Sequence, residues 1–301
     1  MQLKTDKKIT RSLLCFLSRR SAIAALLALT LLPLRSAWAE HGLEGQVKFD
    51  YLEKVLTLRH FYSGERLRFH SDGTLQGDAP IGPWTLDGQI EVEDVHLHGA
   101  RLLIKGRRIH RIFDAQYKPQ DELTTIKNDH GKPQKDLEKA LRHLKVEIEI
   151  ELPTEKPDEK DVSSAIHAVF LTGSESMVDI VPSYWHAYFA KQEGKPQSPP
   201  EPKEPVYYVK PGKISAPHIT LQPGPEYSQE ARKAKYQGTI VMSLIVDASG
   251  APGDLQIQRP LGLGLDEKAV AAISTWKFEP AQKDGKPVAV AINVEVTFRL
   301  Y

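Results

Sequence analysis

The chain is poor in cysteine, and this shortage already excludes several kinds of site. Among its 301 residues the single cysteine is Cys15, close to the N-terminus. Residues 1–39 have the character of a removable export leader, so the remaining chain contains no thiol. We therefore expect no disulfide, no thiol nucleophile and no thiolate metal site in that remaining part.

Recognisable catalytic motifs are also missing. The sequence has no phosphate-binding loop, no G-x-S-x-G elbow and no H-E-x-x-H pair, which mark nucleotide, serine-hydrolase and zinc-protease chemistry. His96 and His98 could share a strand face with Asp94 or His110 as a third metal ligand, but a solvated strand face is the simpler interpretation. The acidic row at 147, 149 and 151 lacks the contrasting environments of an acid–base pair. We predict no catalytic residue, no metal and no cofactor.

Residues 1–39 show the three parts of a secretory signal peptide. A basic start is followed by an apolar run at residues 22–34 and by the small-residue pattern Ala37-Trp38-Ala39, as such signals require. The apolar run is shorter than the roughly 20 residues of a membrane-spanning helix. We expect cleavage before Glu40 and export of the rest; an uncleaved leader would instead anchor the chain in the membrane.

A strong charge of one sign is likewise absent. The chain has 40 basic and 39 acidic residues, a formal charge of +1, and the leader holds seven of the basic residues and one acidic residue. Subtraction leaves 33 basic and 38 acidic residues after the leader, a charge of −5. A mildly acidic chain without a basic stripe argues against a nucleic-acid partner.

Residues 40–192 are predicted to form a mainly antiparallel β domain with some helix. Short β-prone segments recur with turns between them, and residues 90–97 and 101–105 are typical of a hairpin. Residues 145–152 alternate charged and apolar side chains, as a half-exposed strand does. Helices are predicted over residues 133–144 and from Asp161, the expected cap, to Leu171.

A proline-rich segment, residues 193–213, is predicted to be the linker between two domains. An aromatic cluster at 184–189 precedes it and is expected to dock on the first domain. The prolines, with Lys and Glu between them, make the segment stiff and extended. They are Pro196, Pro199, Pro200, Pro202, Pro205 and Pro211.

Residues 214–301 carry the strongest pattern, in the order α-β-β-α-β. Ser228 caps a predicted helix to residue 235, and strands at 239–246 and 254–258 form a hairpin. A second helix is predicted over 265–276, with Asp266 and Glu267 at its positive N-terminus. Residues 288–300 alternate apolar and polar without a break. The predicted fold class is α+β, with two helices on one face of a small antiparallel sheet.

Residues 217–301 resemble the C-terminal domain of the TonB family. The resemblance rests on Tyr227, on the hairpin turn, on the Gly-Leu-Asp start of the second helix and on the W-x-F-x-P block after it. Ser228 stands where the family usually has proline, but serine can also cap a helix. The core motif positions are Gly238, Asp247, Gly250, Leu265, Asp266, Trp276, Phe278 and Pro280.

The resemblance implies a non-enzymatic periplasmic domain that couples an inner-membrane motor to outer-membrane receptors. The expected partner is an extended peptide of an outer-membrane TonB-dependent receptor, which adds as a strand to the edge of the sheet. The strand positions are Asn293, Val294, Glu295, Val296, Thr297, Phe298 and Arg299. A loop that lies near the receptor segment in the family corresponds to Gln222, Pro223, Gly224, Pro225, Glu226 and Tyr227.

Other interpretations stay open at this point. Inner-membrane motor proteins are partners only if the leader stays attached, and a homodimer is a further option. The N-terminal domain resembles only loosely a β-rich module found before TonB-type domains. The alternative function is a soluble periplasmic ligand-binding, hydrolytic or envelope-structural protein that uses the TonB-like domain for docking.

Overall fold

The computed structural model describes residues 42–114, 116–120, 144–196 and 204–300. The chain divides into two compact units, residues 1–52 and 53–301. Helix α1 (Gly42–Tyr51) belongs to the first unit. The predicted leader and the helix predicted over 133–144, except for Leu144, lie outside the described residues. None of the helices in the described ranges is long and apolar enough to cross a bilayer.

The second unit has an α+β fold, as predicted. Its N-terminal part is built on a five-stranded sheet in the order β1-β3-β4-β7-β2. The pairs β1–β3, β3–β4 and β4–β7 are antiparallel, whereas β2 joins β7 in parallel. The strands are β1 (Val55–Thr57), β2 (Arg66–Phe69), β3 (Gln89–His98), β4 (Arg101–Arg108) and β7 (Lys145–Glu151).

Two further short strands lie outside this sheet. Strands β5 (Ile112–Phe113) and β6 (Pro119–Gln120) pair with each other. Of residues 109–113, only Ile112 and Phe113 belong to a strand. Ile109 still donates its backbone N–H to the carbonyl of Gln89 in β3 at 2.9 Å, whereas Arg111 donates to the carbonyl of Thr85 at 2.7 Å.

Period-two alternation orients strand β7 and decides which of its faces is buried. Ile148 and Ile150 are fully buried, and the glutamates between them point to the other face. There Glu147 approaches Arg66 at 3.5 Å, and Glu149 approaches Arg68 at 3.7 Å. The acidic row is thus part of a cross-strand ladder of opposite charges at the surface.

Helix α3 (Glu159–Val169) follows this sheet and buries one apolar stripe, including Val162 and Ile166. The prediction that Asp161 caps it is wrong, because the helix starts earlier. Asp158 Oδ1 accepts the N–H of Asp161 at 2.9 Å, and Asp161 Oδ2 accepts the N–H of Asp158 at 3.1 Å. Asp161 is the third helical residue of this reciprocal capping box.

The C-terminal part has a second sheet, in the order β11-β10-β14-β13. Its strands are β10 (Gly238–Val246), β11 (Pro252–Arg259), β13 (Ala281–Lys283) and β14 (Lys286–Phe298). Strand β8 (Val206–Tyr208), which falls inside the predicted linker, pairs with β14, and β9 (His218–Leu221) pairs with β12 (Lys277–Glu279). These short strands were not predicted. The domain boundaries at 193 and 213 stay predictions.

Helices α5 (Gln229–Lys233) and α6 (Leu265–Ile273) complete the predicted α-β-β-α-β order. Ser228 caps α5 as predicted, since its Oγ accepts the N–H of Ala231 at 3.1 Å. Helix α6 ends at Ile273 and not at Trp276. Thr275 and Trp276 donate to carbonyls three residues back, at Ala272 and Ile273, which tightens the last turn and redirects the chain.

The aromatic cluster connects the two parts of the second unit. Helix α4 (His186–Gln192) and the 3-10 helix Ser183–Trp185 pack against β11. Trp185 is fully buried, with its ring 5.4 Å from that of Trp84, which opens the short helix α2 (Trp84–Asp87). The cluster therefore docks on the first domain, as predicted, and on the C-terminal sheet as well, so one apolar core runs through both.

Candidate functional site at the edge of the C-terminal sheet

Strand β14 is oriented by the alternation of its sequence. Val294, Val296 and Phe298 are buried against the helices, whereas Glu295 and Thr297 are exposed on the opposite face. Its inner side pairs with β10 in an unbroken antiparallel register from Val290 to Phe298. The long strand is thus held firmly on one side over nine positions of that register.

The outer side of β14 is open along most of its length. Strand β8 pairs with Ala289–Ala291, and it must lie on the side opposite β10, because β10 also pairs with Val290 and Ala291. From Ile292 to Phe298 no strand among the described residues pairs with that outer side. Every second residue of a strand points its N–H and C=O outward, so this stretch offers a row of unpaired backbone groups.

The opposite edge of the same sheet is covered. Helix α4 and the 3-10 helix Ser183–Trp185 pack against strand β11. Ala187 donates its backbone N–H to Gln256 Oε1 of β11 at 3.2 Å. Among the described elements, the accessible long edge of this sheet is therefore that of β14.

The predicted loop at 222–227 is held in place by the core. The Trp276 indole donates to the Pro223 carbonyl at 3.0 Å, and Lys268 Nζ lies 3.0 Å from Glu226 Oε2. The Tyr227 ring packs edge-on against the Phe298 ring, with the centroids 5.4 Å apart. The end of the loop and the end of the open edge thus meet at Tyr227 and Phe298.

The core motif residues hold the hairpin turn next to this edge strand. Gly250 has a φ of 84°, and a Cβ there would lie 1.9 Å from the Phe278 carbonyl oxygen, so only glycine fits. Asp247 Oδ1 accepts from the backbone N–H of Ser249 and of Ala251. Partial burial acts to raise the pKa of Asp247, but hydrogen bonds from Ser249 and Ala251 outweigh it and lower that pKa.

A buried acidic pair opens helix α6. Asp266 is fully buried and accepts the backbone N–H of Leu261 at 2.9 Å and of Gly262 at 2.7 Å. Glu267 Oε1 accepts the Trp185 indole N–H at 3.0 Å, and its Oε2 is buried with no hydrogen-bond partner among the described residues. Burial raises the pKa of both carboxyls, and the charge of Asp266 raises that of Glu267 further.

Sequence reasoning missed the contact between Trp185 and Glu267. It assigned Asp266 and Glu267 only to the helix dipole and Trp185 to an aromatic cluster. The two residues are 82 positions apart, so no local pattern connects them. The contact nevertheless helps to position the site, because it joins the 3-10 helix Ser183–Trp185, which packs against β11, to helix α6.

The histidines of the N-terminal sheet form a surface pair. His96 Nε2 lies 2.8 Å from Asp94 Oδ2, and the His96 and His98 rings stack at 6.0 Å. Within the described ranges no group of three His, Cys, Asp or Glu side chains is arranged to hold a metal ion. His110 is buried, and burial together with the charge of Arg108 lowers its pKa to about 4.

The C-terminal part is thus a two-layer α+β domain with one covered and one accessible sheet edge. Residues 223–300 match the family model described as the Gram-negative bacterial TonB protein C-terminal. The predicted resemblance is confirmed: over residues 223–300 this chain is similar to the TonB C-terminal domain.

Two curated relatives share this part of the chain. Protein tonB2 of Pseudomonas aeruginosa is 35% identical over 79 residues, 26% of this chain and 29% of that protein. Protein TonB of Vibrio cholerae is 36% identical over 98 residues, 32% of this chain and 38% of that protein. The chain thus spans about a third of the length of either relative.

A TonB domain is among the similar solved structures. It is the solution NMR structure of the Pseudomonas aeruginosa TonB CTD, at 19% identity and a TM-score of 0.25. The likeness covers 32% of this chain and 94% of that one.

Proposed function

We propose that the C-terminal domain binds an extended peptide of an outer-membrane receptor, which adds as a strand to the outer edge of β14 and so supports energy-coupled transport. The observation that carries this proposal is the unpaired outer edge from Ile292 to Phe298, beside a second edge that is covered. The match of residues 223–300 to the TonB C-terminal family supports the same assignment.

Backbone pairing supplies the affinity in this mode of binding. Each added hydrogen bond contributes about 0.5–1.5 kcal/mol net, so affinity grows with the number of peptide residues that pair. Alternate peptide side chains would lie beside Asn293, Glu295 and Thr297 on the exposed face. Those polar neighbours favour a peptide with polar side chains at every second position.

This role implies a location, a class of protein and further partners. The protein acts in the periplasm after export, and it is a binding protein and not an enzyme. Inner-membrane motor proteins are partners only if the leader stays attached. The part of the chain before the C-terminal domain supports the site by covering β11, through Trp185 and helix α4.

A cross-linking experiment tests the site directly, because the chain after the leader has no cysteine. In a Cys15→Ser background, Glu295→Cys places one thiol on the open edge. We expect it to form a disulfide with receptor N-terminal peptides that carry a single cysteine, and we expect non-reducing electrophoresis to detect the adduct.

The matched control is Gln258→Cys, an exposed residue of β11. Strand β11 is separated from β14 by β10, which is a distance of about 10 Å. We expect no adduct with the control. Equal labelling of both positions, or labelling of Gln258→Cys alone, would contradict the proposed site.

Ligand binding is a second candidate, favoured by one feature of the N-terminal part. An open cleft of about 690 Å³ is lined by polar side chains that include Arg59, His60 and Asp72. Its arginine is already engaged, since Arg59 pairs with Glu175 at 2.7 Å. The test is mass spectrometry of small molecules released by heating the purified protein. Material present in the wild type and lost in a His60→Ala, Asp72→Ala variant would support a ligand here.

A further inference from the structure

The edge proposed for the receptor peptide is already partly occupied by the chain itself. Strand β8 pairs in parallel with β14, with Val206 opposite Ala289, Tyr207 opposite Val290 and Tyr208 opposite Ala291. Residues 206–208 precede the segment 223–300 that matches the family model. The pairing is therefore contributed by a part of this chain outside the family domain.

Strand β8 and the open stretch of β14 form one continuous edge. Because β10 holds the other side of Val290 and Ala291, β8 lies on the same outer side as the free positions that begin at Ile292. The chain leaves this edge after Tyr208, since Lys210 turns back to pair with Ile214. The free positions thus start where β8 ends.

Side chains of β8 show what this position of the edge accepts. Tyr207 lies opposite the buried Val290 and packs against the core, with Lys283 Nζ 4.4 Å from its ring centroid. This contact is a cation–π interaction. Tyr208 points the other way and is 77% exposed. The edge therefore binds an aromatic side chain at the position opposite Val290 and leaves its neighbour in solvent.

The pairing of β8 with β14 is short, although Ile214 and Ser215, which follow it, also contact β13. Only three residues pair, whereas β14 offers seven further positions from Ile292 to Phe298. Pro205 precedes the strand and Pro211 follows it closely. Neither has a backbone N–H, so β8 cannot extend its pairing far in either direction.

We propose that β8 is an internal stand-in for the partner strand: an incoming peptide runs parallel to β14, places an aromatic or large apolar residue opposite Val290, and displaces β8 as it binds. This inference rests on the proposed function and defines the direction and chemistry of the peptide. A longer peptide replaces the three pairings of β8 and adds those along the free stretch.

Occupation of the β14 edge by β8 lowers the apparent affinity of this edge for any partner peptide. The measured dissociation constant equals the intrinsic constant divided by the fraction of molecules in which β8 has left the edge. Weakening β8 therefore tightens peptide binding, although no residue of β14 changes. A merely structural strand would have the opposite effect, because its loss would loosen the edge.

The probe is a fluorescent peptide with the sequence of residues 204–211 of this chain, added to the full-length protein. Tyr207→Ala weakens β8, and Tyr208→Ala is the matched control on the exposed side of the same strand. We expect fluorescence anisotropy to give a dissociation constant about tenfold lower for Tyr207→Ala than for the wild type. The control is expected to bind as the wild type does.

A second variant tests whether the effect of Tyr207→Ala comes only from a change in local side-chain packing. Successive residues of a strand point their N–H groups to opposite sides, so Val206→Pro with Tyr207→Pro removes a β8 donor in either alignment. We expect this variant to bind the peptide tightly too, with amide NMR shifts at residues 289–291. A circular dichroism spectrum of this variant checks that the fold is kept.

Three outcomes would overturn the stand-in. The first is that the wild type and all variants bind the 204–211 peptide equally well. The second is that the amide NMR shifts on binding are confined to residues 292–298. The third is that no variant binds the peptide. The receptor-peptide adduct of Glu295→Cys tests the proposed function separately, because it forms whether or not β8 must leave. Failure of that adduct removes the proposed function, whereas its formation together with unchanged peptide affinities removes the stand-in alone.

Discussion

At the scale of single residues, Glu267 is the group whose ionisation acts most directly on the fold. It accepts a hydrogen bond from Trp185 through one carboxylate oxygen, and its other oxygen is buried without a partner in the part of the chain that the structure describes. Burial and the neighbouring Asp266 raise its pKa above that of the unfolded chain. The folded protein therefore keeps a proton on Glu267 at pH values where the unfolded chain has lost it.

This linkage predicts how stability depends on pH. The contribution of Glu267 is fully present below its unfolded pKa and is lost as the pH rises through the folded pKa. Glu267→Gln removes this titration. We therefore expect the free energy of unfolding of Glu267→Gln, relative to that of the wild type, to be about 1–2 kcal/mol higher at about pH 9 than at about pH 5. Urea unfolding at both pH values measures this difference.

Trp185→Phe serves as the control for Glu267→Gln, because it deletes the indole donor and leaves the carboxyl in place. We expect this variant to lose stability at both pH values and to keep a pH dependence at least as strong as that of the wild type, because the indole hydrogen bond lowers the pKa of Glu267. Parallel pH profiles for the wild type and Glu267→Gln would show that Glu267 does not titrate as proposed.

At the scale of elements, strand β4 depends on a glycine where it crosses β3. The register of the β3–β4 pair shifts between Val92 and Asp94, and Gly106 lies opposite Val92 at this irregularity. A Cβ on Gly106 would come within 2.3 Å of the Glu91 carbonyl oxygen and 2.8 Å of Ile90 Cγ2. The backbones are thus too close for any side chain.

Gly106→Ala should therefore destabilise the N-terminal sheet. We expect the free energy of unfolding to fall by about 1–3 kcal/mol, because the clash is with backbone and cannot be relieved by a rotamer change. The matched control is Gly173→Ala, where a Cβ meets nothing within 4 Å and φ is not positive. Denaturation midpoints that agree for the two variants would refute the close approach.

At the scale of the whole second unit, the N-terminal part protects the C-terminal sheet from unwanted pairing. Helix α4 and the 3-10 helix Ser183–Trp185 cover strand β11, which would otherwise be a second open edge. An exposed strand edge is a template for pairing with another chain. Under the proposed function, the cover would leave β14 as the edge to which a peptide strand can add.

Removing this cover should change the association state. We expect a fragment of residues 204–301 to self-associate more strongly than the full-length chain at equal concentration, because its β11 edge is uncovered. Sedimentation-velocity ultracentrifugation of both proteins measures this. A fragment that stays monomeric where the full chain also does would show that β11 needs no protection.

Much of the C-terminal domain was predictable because its signals are local. The alternation along β14, the serine cap at Ser228 and the glycine turn at Gly250 each depend on residues within a few positions of one another. The edge residues 293–299 followed from the resemblance, and their assignment as the binding site stays a prediction.

The elements that were missed depend on distant contacts. The parallel pairing of β2 with β7 joins residues about 80 positions apart in the chain. Strand β8 could not be predicted from its own sequence pattern, because it is three residues long and flanked by prolines. Such short segments acquire their structure from the partner strand that they meet.

By itself, the sequence determined that residues 40–301 contain no cysteine, that β14 has one buried and one exposed face, and that the C-terminal part resembles the TonB family. Only the tertiary structure decided which edges of the sheet are open, because this depends on where Trp185, helix α4 and β8 come to rest. Periodicity assigns a residue to a face of its own strand, whereas the neighbour along each edge is chosen by packing between segments far apart in the chain.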